Sequence, residues 1–128
     1  MHDTTSPEPL VAILTSLRDE VMGVSESVLS TGDGLLVAAD ADAVHPESIA
    51  ALAAATLGLG RRMAEQTKAG SLREVVIRCS GGHVINLAVG DRALLTILGD
   101  DGLDLPSLQR ALPAAVEQLA KILDADTE

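Results

Sequence analysis

Apolar positions recur every three or four residues from Leu10 through Ile13, Leu14, Leu17 and Val21. That spacing predicts an amphipathic helix opening near Pro9 and ending at Gly23. The pattern then shortens. Val24 to Ser30 and Leu35 to Ala39 read as two strands, and Thr31-Gly32-Asp33-Gly34 between them offers the positive φ that a tight reversal requires. After the acidic loop around Asp40 and Asp42, His45-Pro46-Glu47 opens a second helix. Proline suits its first turn and Glu47 the positive end of its dipole. The helix is predicted to run to about Lys68 and to stop at Gly70, a length of about 34 Å.

Three strands are predicted next, over Glu74 to Cys79, His83 to Val89 and Ala93 to Leu98. Ser80-Gly81-Gly82 and Gly90-Asp91-Arg92 separate them as hairpin turns. On the last two strands apolar residues fall on both parities: Ile85, Leu87 and Val89 against Val84 and Ala88, and Leu95 and Ile97 against Leu94 and Leu98. A sheet wet on one face would alternate, so helices are expected on both faces. Asp104 then caps a third helix with an apolar stripe at Leu108, Leu112, Val116, Leu119 and Leu123, and Pro113 inside it is expected to kink or split it. The reading is an α+β domain over residues 9–123, ordered α-β-β-α-β-β-β-α, with polar tails at 1–8 and 124–128.

Composition narrows what such a domain does. At 128 residues, 47% hydrophobic, the chain holds one core. Its longest nearly uncharged stretch, Ser48 to Gly60, is too short to span a bilayer and meets Arg61 and Arg62 at once, so no membrane insertion is expected. The acidic, polar start carries no basic region followed by an apolar run, and a cytoplasmic location is expected. A net charge of −10 and the absence of any aromatic residue weigh against nucleic acid, which needs counterion release and favours stacking. No phosphate-binding G-x-x-x-x-G-K-[ST] loop is present, and Gly32-Asp33-Gly34 lacks the context of a dinucleotide fingerprint, so any nucleotide is held by a second protein.

The sequence resembles the Roadblock/dynein light chain family. The resemblance rests on Gly23-Val24, Gly32-Asp33-Gly34-Leu35, Ile49-Ala50-Ala51-Leu52-Ala53-Ala54, Glu74-Val75-Val76-Ile77 and Gly90-Asp91-Arg92-Ala93-Leu94-Leu95, in that order. It departs in placing His83-Val84 where an aromatic often follows the glycine turn. The resemblance implies a five-stranded antiparallel sheet between helices, of Roadblock and profilin type. It also implies a homodimer whose second helices meet and whose third strands pair. A non-enzymatic role beside a Ras-like small GTPase follows, as in the bacterial gliding-motility regulator and the actinobacterial conservon proteins. A small-ligand sensing or scaffold module is the alternative.

Interface candidates on the second helix are Ile49, Leu52, Ala53, Thr56, Leu59, Gly60 and Met63, joined by Val75 and Ile77 on the next strand. Ala50, Ala54, Leu57 and Ala64 keep much of the remainder apolar or small, so the helix is either wholly buried or shared between the sheet and a partner. Gly58 and Gly60 favour sharing, because each costs about 1 kcal/mol in a helix and needs a compensating close approach. Gly60 is placed on the partner side with Leu52, Thr56 and Met63. Arg61 and Arg62 either form a solvated face complementing the helix dipole or meet an acidic patch on the GTPase. Cys79 and His83 flank the Ser-Gly-Gly turn, but a zinc site needs about four ligands, and no cofactor or metal is expected. Cys79 is read as a small buried strand residue.

Overall fold

The computed structural model describes residues 7–125. Its elements are α1 (Pro7–Glu20), β1 (Val24–Thr31), β2 (Leu36–Asp40), α2 (Pro46–Gln66), β3 (Val75–Cys79), β4 (Gly82–Val89), β5 (Ala93–Asp100) and α3 (Leu105–Ala125). The five strands form one antiparallel sheet in the order β2-β1-β5-β4-β3. Both the fold class and the order of elements agree with the sequence reading.

Strand register explains the apolar residues on both parities. Ile85, Leu87 and Val89 stand opposite Ile97, Leu95 and Ala93 and turn to the face where Leu10, Leu14, Leu17, Leu108 and Leu119 of α1 and α3 close the main core. Val84, Asn86 and Ala88 stand opposite Leu98, Thr96 and Leu94 and turn to the other face, the one that carries α2, where Ala88 remains exposed. Ala50, Ala53 and Leu57 are the buried residues of α2. A sheet sandwiched in this way leaves no face to water over β1 and β5, and its strands need not alternate.

One glycine ties the two ends of the main core together. Gly23 has φ +91°, and a Cβ there would overlap the backbone of Leu103. The Gly23 carbonyl accepts from Asp100 N–H at 2.9 Å and the Met22 carbonyl from Asp104 N–H at 3.0 Å, so the α1–β1 corner is stitched to the β5–α3 corner. Asp104 caps α3 as expected, its carboxylate accepting from the Ser107 hydroxyl at 2.6 Å and the Ser107 N–H at 3.2 Å.

Three local expectations are corrected. The second helix ends at Gln66: the Thr67 hydroxyl donates back to the Met63 carbonyl at 2.8 Å, and Lys68, at φ +57°, turns the chain before Gly70 is reached. The third helix runs through Pro113 as one element. Pro113 and Gln109, whose carbonyl loses its partner, are both exposed, so the defect opens to water while Leu112 and Ala115 on the inner side hold the helix to the core. The first helix begins at Pro7, before the predicted Pro9, and Asp124 and Ala125 complete α3. The rest of the two predicted tails, 1–6 and 126–128, lies outside the described residues.

The approach to α2 is held by a carboxylate. Glu26 on β1 accepts from the N–H groups of Asp42 (2.6 Å), Ala43 (2.9 Å) and Val44 (3.3 Å). Partial burial pushes the Glu26 carboxyl up, but the three donors together outweigh it and hold it below its ordinary value. Because the folded-state pKa is depressed, the stabilisation is complete above the unfolded value, about 4.3, and is lost as pH falls through the folded one. Glu26→Gln should therefore cost about 1 kcal/mol at pH 7, after discounting for solvent screening. Thermal unfolding of both proteins should show that gap narrowing near pH 3; a gap independent of pH would mean that the charge contributes nothing.

Candidate interaction surface

The helix α2 does not lie centrally on its face of the sheet. The backbone of the β1–β2 hairpin approaches it closely at Gly34, where φ is +94° and a Cβ would stand 3.3 Å from Ala51 Cα and 3.4 Å from Ala54 Cβ. With that flank closed, the helix packs chiefly on β1 and β5. The β5-β4-β3 side of the same face is left open as a groove of about 310 Å³. Ile49, Leu52, Ala53 and Thr56 form its helical wall, and Ile77, Val84, Asn86, Thr96 and Leu98 its floor.

Apolar side chains at the rim stand in water. Leu52 is 62% exposed, Leu59 69%, Met63 68% and Ile77 39%. Leu52, Thr56, Leu59 and Met63 follow seven- and four-residue spacing and form one stripe along α2, displaced from the buried Ala50-Ala53-Leu57 line. The Thr56 hydroxyl donates to the Leu52 carbonyl at 2.8 Å, which removes the one polar side-chain group of the stripe from competition. An exposed, contiguous apolar stripe beside an unfilled groove makes this face the candidate interaction surface among the described residues.

On the groove floor, the Thr96 hydroxyl donates to Asn86 Oδ1 at 3.0 Å, and both residues are almost wholly buried. Sequence reasoning missed this pair. The only signal was a polar residue on each of two otherwise apolar strands, and the β4–β5 register is needed to see that the two residues face one another.

The predicted site residues divide under the geometry. Ile49, Leu52, Ala53, Thr56 and Ile77 come together at the groove, with Leu59 and Met63 extending its rim along α2. Gly60 does not share the open side with them. A Cβ at Gly60 would stand 3.0 Å from Leu72 Cδ2 and 3.0 Å from Val75 Cγ2 of the same chain. Its missing side chain lets the segment entering β3 pass beneath the helix, and Val75 is half-buried there. At Gly58, by contrast, a Cβ would meet nothing within 4 Å.

Arg61 and Arg62 point apart, as successive helical residues must. Arg61 borders a small cleft with Gly70, Ser71 and Leu72, Arg62 is exposed, and neither has an ion-pair partner among the described residues.

Cys79 is exposed, which corrects the expectation of burial. It ends β3, an edge strand that neither a further strand nor α2 covers at that point. Register also separates it from His83: Cys79 pairs with Gly82 and His83 with Arg78, so the two side chains leave opposite faces of the sheet. Among the described residues no three metal-ligating side chains gather, and no helix is long and apolar enough to cross a membrane.

Comparison with known proteins agrees with this geometry. The chain overlays a Roadblock/LC7 domain of Streptomyces avermitilis with a TM-score of 0.82 at 23% identity, covering 88% of this chain and 95% of that one. The gliding protein MglB of Thermus thermophilus overlays with a TM-score of 0.82 at 19% identity, over 98% of this chain and 95% of that one. An MglB with a tetrameric arrangement gives 0.85 at 20% identity, over 98% and 94%. At these identities the likeness carries the fold alone. No curated protein matches the chain. The Roadblock/LC7 domain model, however, matches residues 10–99, from the first core leucine of α1 to the end of β5. The chain belongs to the Roadblock/LC7 domain family.

Proposed function

We propose that this domain is a non-enzymatic, self-associating adaptor that regulates a Ras-like small GTPase in a cytoplasmic signalling or polarity system. The observation that carries the reading is the groove beside α2, with its exposed stripe of Leu52, Leu59 and Met63. Water-exposed apolar surface of that kind is stabilised by a second protein surface, and a helix that leaves a groove open over β4 and β3 has room for one. A second copy of the chain is the natural occupant, since most soluble oligomers are symmetric assemblies of one chain. A solved MglB with a tetrameric arrangement supports self-association in this fold. The GTPase role rests on family membership and on the MglB likeness. With no phosphate loop in the sequence, GTP belongs to the partner, and Arg61 and Arg62 are the cations offered to it.

The test is direct binding. Each small GTPase of the native host, purified and loaded with GDP or a non-hydrolysable GTP analogue, is titrated with the domain by calorimetry. Binding of one GTPase preferentially in its GTP form is expected, and its hydrolysis rate with and without the domain tells regulator from scaffold. Failure of every loaded GTPase to bind would remove the proposal.

One observation favours a second reading, small-ligand sensing. An open cleft of about 650 Å³ between α3 and the β3–β4 side is lined by Leu87, Leu112, Pro113 and Val116, with Arg73, Glu74 and Gln109 as its polar groups. Its size falls within the range of ligand sites. A metabolite that raises the melting temperature, and loses that effect in Leu87→Glu, would favour this reading.

A further inference from the structure

The face of the sheet that carries α1 and α3 has an opening of its own. α3 packs on β4, and β3 lies beyond β4 at the edge, so this face is left uncovered on the β3 side. The cleft of about 650 Å³ occupies that gap. Leu87 on β4 and Val116 on α3 are only half-buried in it, beside the buried Leu112. The α2 groove lies on the opposite face, so a ligand in the cleft and a protein partner at the groove do not compete for space.

Three polar features share this apolar floor. Arg73 and Glu74 are consecutive and opposite in charge, yet both line the cleft. Within a strand they would point to opposite faces, but β3 begins only at Val75 and the segment before it is irregular. Neither side chain has an ion-pair partner among the described residues, and the two do not pair with each other. Pro113 has no N–H to give the carbonyl of Gln109, four residues earlier, and both of these residues line the cleft as well. A cation, an anion and an open acceptor thus stand around one apolar floor.

These charges select the ligand. A purely anionic ligand meets Glu74, a purely cationic one meets Arg73, and a neutral apolar one takes water from both charges and returns nothing. A molecule with both signs on an apolar body satisfies both. Resting on the ligand reading of this cleft, we propose that it binds a small zwitterion with an apolar side chain, either a free α-amino acid such as leucine or a short apolar peptide. The ligand's carboxylate meets Arg73. Its ammonium meets Glu74, with the Gln109 carbonyl as a further acceptor, and its side chain covers Leu87, Leu112 and Val116. The two sources share that chemistry and differ in the spacing of their charges, and the volume of the cleft admits either.

Titration of the full chain followed by nuclear magnetic resonance tests the site, reading the backbone amides of Glu74, Leu87, Gln109 and Val116. The probes are L-leucine and L-leucyl-L-leucine, in mildly acidic buffer where every amine is protonated. Three capped controls accompany them: N-acetyl-leucine lacks the ammonium, leucinamide lacks the carboxylate, and N-acetyl-leucinamide lacks both. Saturable shifts at these amides are expected with at least one zwitterion, at a dissociation constant about fivefold or more below that of either singly capped form. The tighter of the two zwitterions identifies the source. In Arg73→Gln the zwitterion should weaken to the level of leucinamide, and in Glu74→Gln to that of N-acetyl-leucine. The capped series needs no substitution, so the test stands even where a variant fails to fold.

Equal affinity for the zwitterions and for N-acetyl-leucinamide overturns the proposed class and leaves the cleft standing as a ligand site. No saturable shift with any of these compounds removes the ligand reading together with the class. Shifts confined to the α2 groove, at Ile49 and Ile77, would overturn the placement.

Discussion

Leu52→Glu is expected to leave the chain folded and to separate it into monomers at micromolar concentration. Leu52 is 62% exposed in the single chain, so a carboxylate there costs the isolated fold little. In a symmetric contact the same position is covered, and the carboxylate then loses its water without a positive partner. The substitution occurs once per copy, and both carboxylates pay that desolvation. A loss of about 3 kcal/mol or more, more than a hundredfold in the dissociation constant, is the expected scale. The control is Leu35→Glu. Leu35 is 64% exposed, but it sits on the β1–β2 hairpin, on the flank of α2 opposite the groove. Light scattering should report a monomer for Leu52→Glu and an unchanged mass for Leu35→Glu, with unchanged circular dichroism for both. The opposite result would move the contact to the hairpin side.

Gly60→Leu is expected to destabilise the chain itself. The first carbon of the new side chain already stands 3.0 Å from Leu72 Cδ2 and Val75 Cγ2, and the remaining atoms have to displace the segment that leads into β3. Overpacking of this kind costs about 1 to 3 kcal/mol, a fall in melting temperature of about 4 °C or more. Gly58→Ala, with open space around the added methyl, should instead stabilise by up to about 1 kcal/mol through helix propensity. Thermal scans of the two variants test the assignment of the helix faces. A neutral Gly60→Leu in the monomeric Leu52→Glu background would show that Gly60 does not carry the contact with Leu72 and Val75.

These two glycines mark where the sequence stopped being informative. Element order was legible because its signals are local: the three- and four-residue return of leucines in α1, the Asp-Gly reversal at 33–34, and the glycine turns between β3, β4 and β5. The faces of α2 were not. A helix with alanine, glycine or leucine on nearly every side has no single apolar face, and its orientation is set by the hairpin at Gly34 and the crossing segment at Leu72 and Val75. Those contacts are long-range, and periodicity does not encode them. Grouping Gly60 with Leu52 and Met63 failed for that reason, whereas Leu52, Thr56, Leu59 and Met63 themselves do fall on one exposed stripe.

Burial of single strand residues was equally beyond local reading. Cys79 looks like a core residue until the sheet order places β3 at an edge. Asn86 and Thr96 look like isolated polar interruptions until register makes them a buried hydrogen-bonded pair. At Pro113 the local rule was overridden: packing of Leu108, Leu112, Ala115 and Leu119 outweighs one lost hydrogen bond on the solvent side.

The groove beside α2 carries the functional proposal, and its occupancy by a second copy is the point on which the rest depends. The most direct measurement is the mass of the unmodified chain by sedimentation equilibrium across the micromolar range. Twice the 13.2 kDa chain mass is expected, holding on dilution to low micromolar concentration. A single species of 13.2 kDa throughout that range would contradict it.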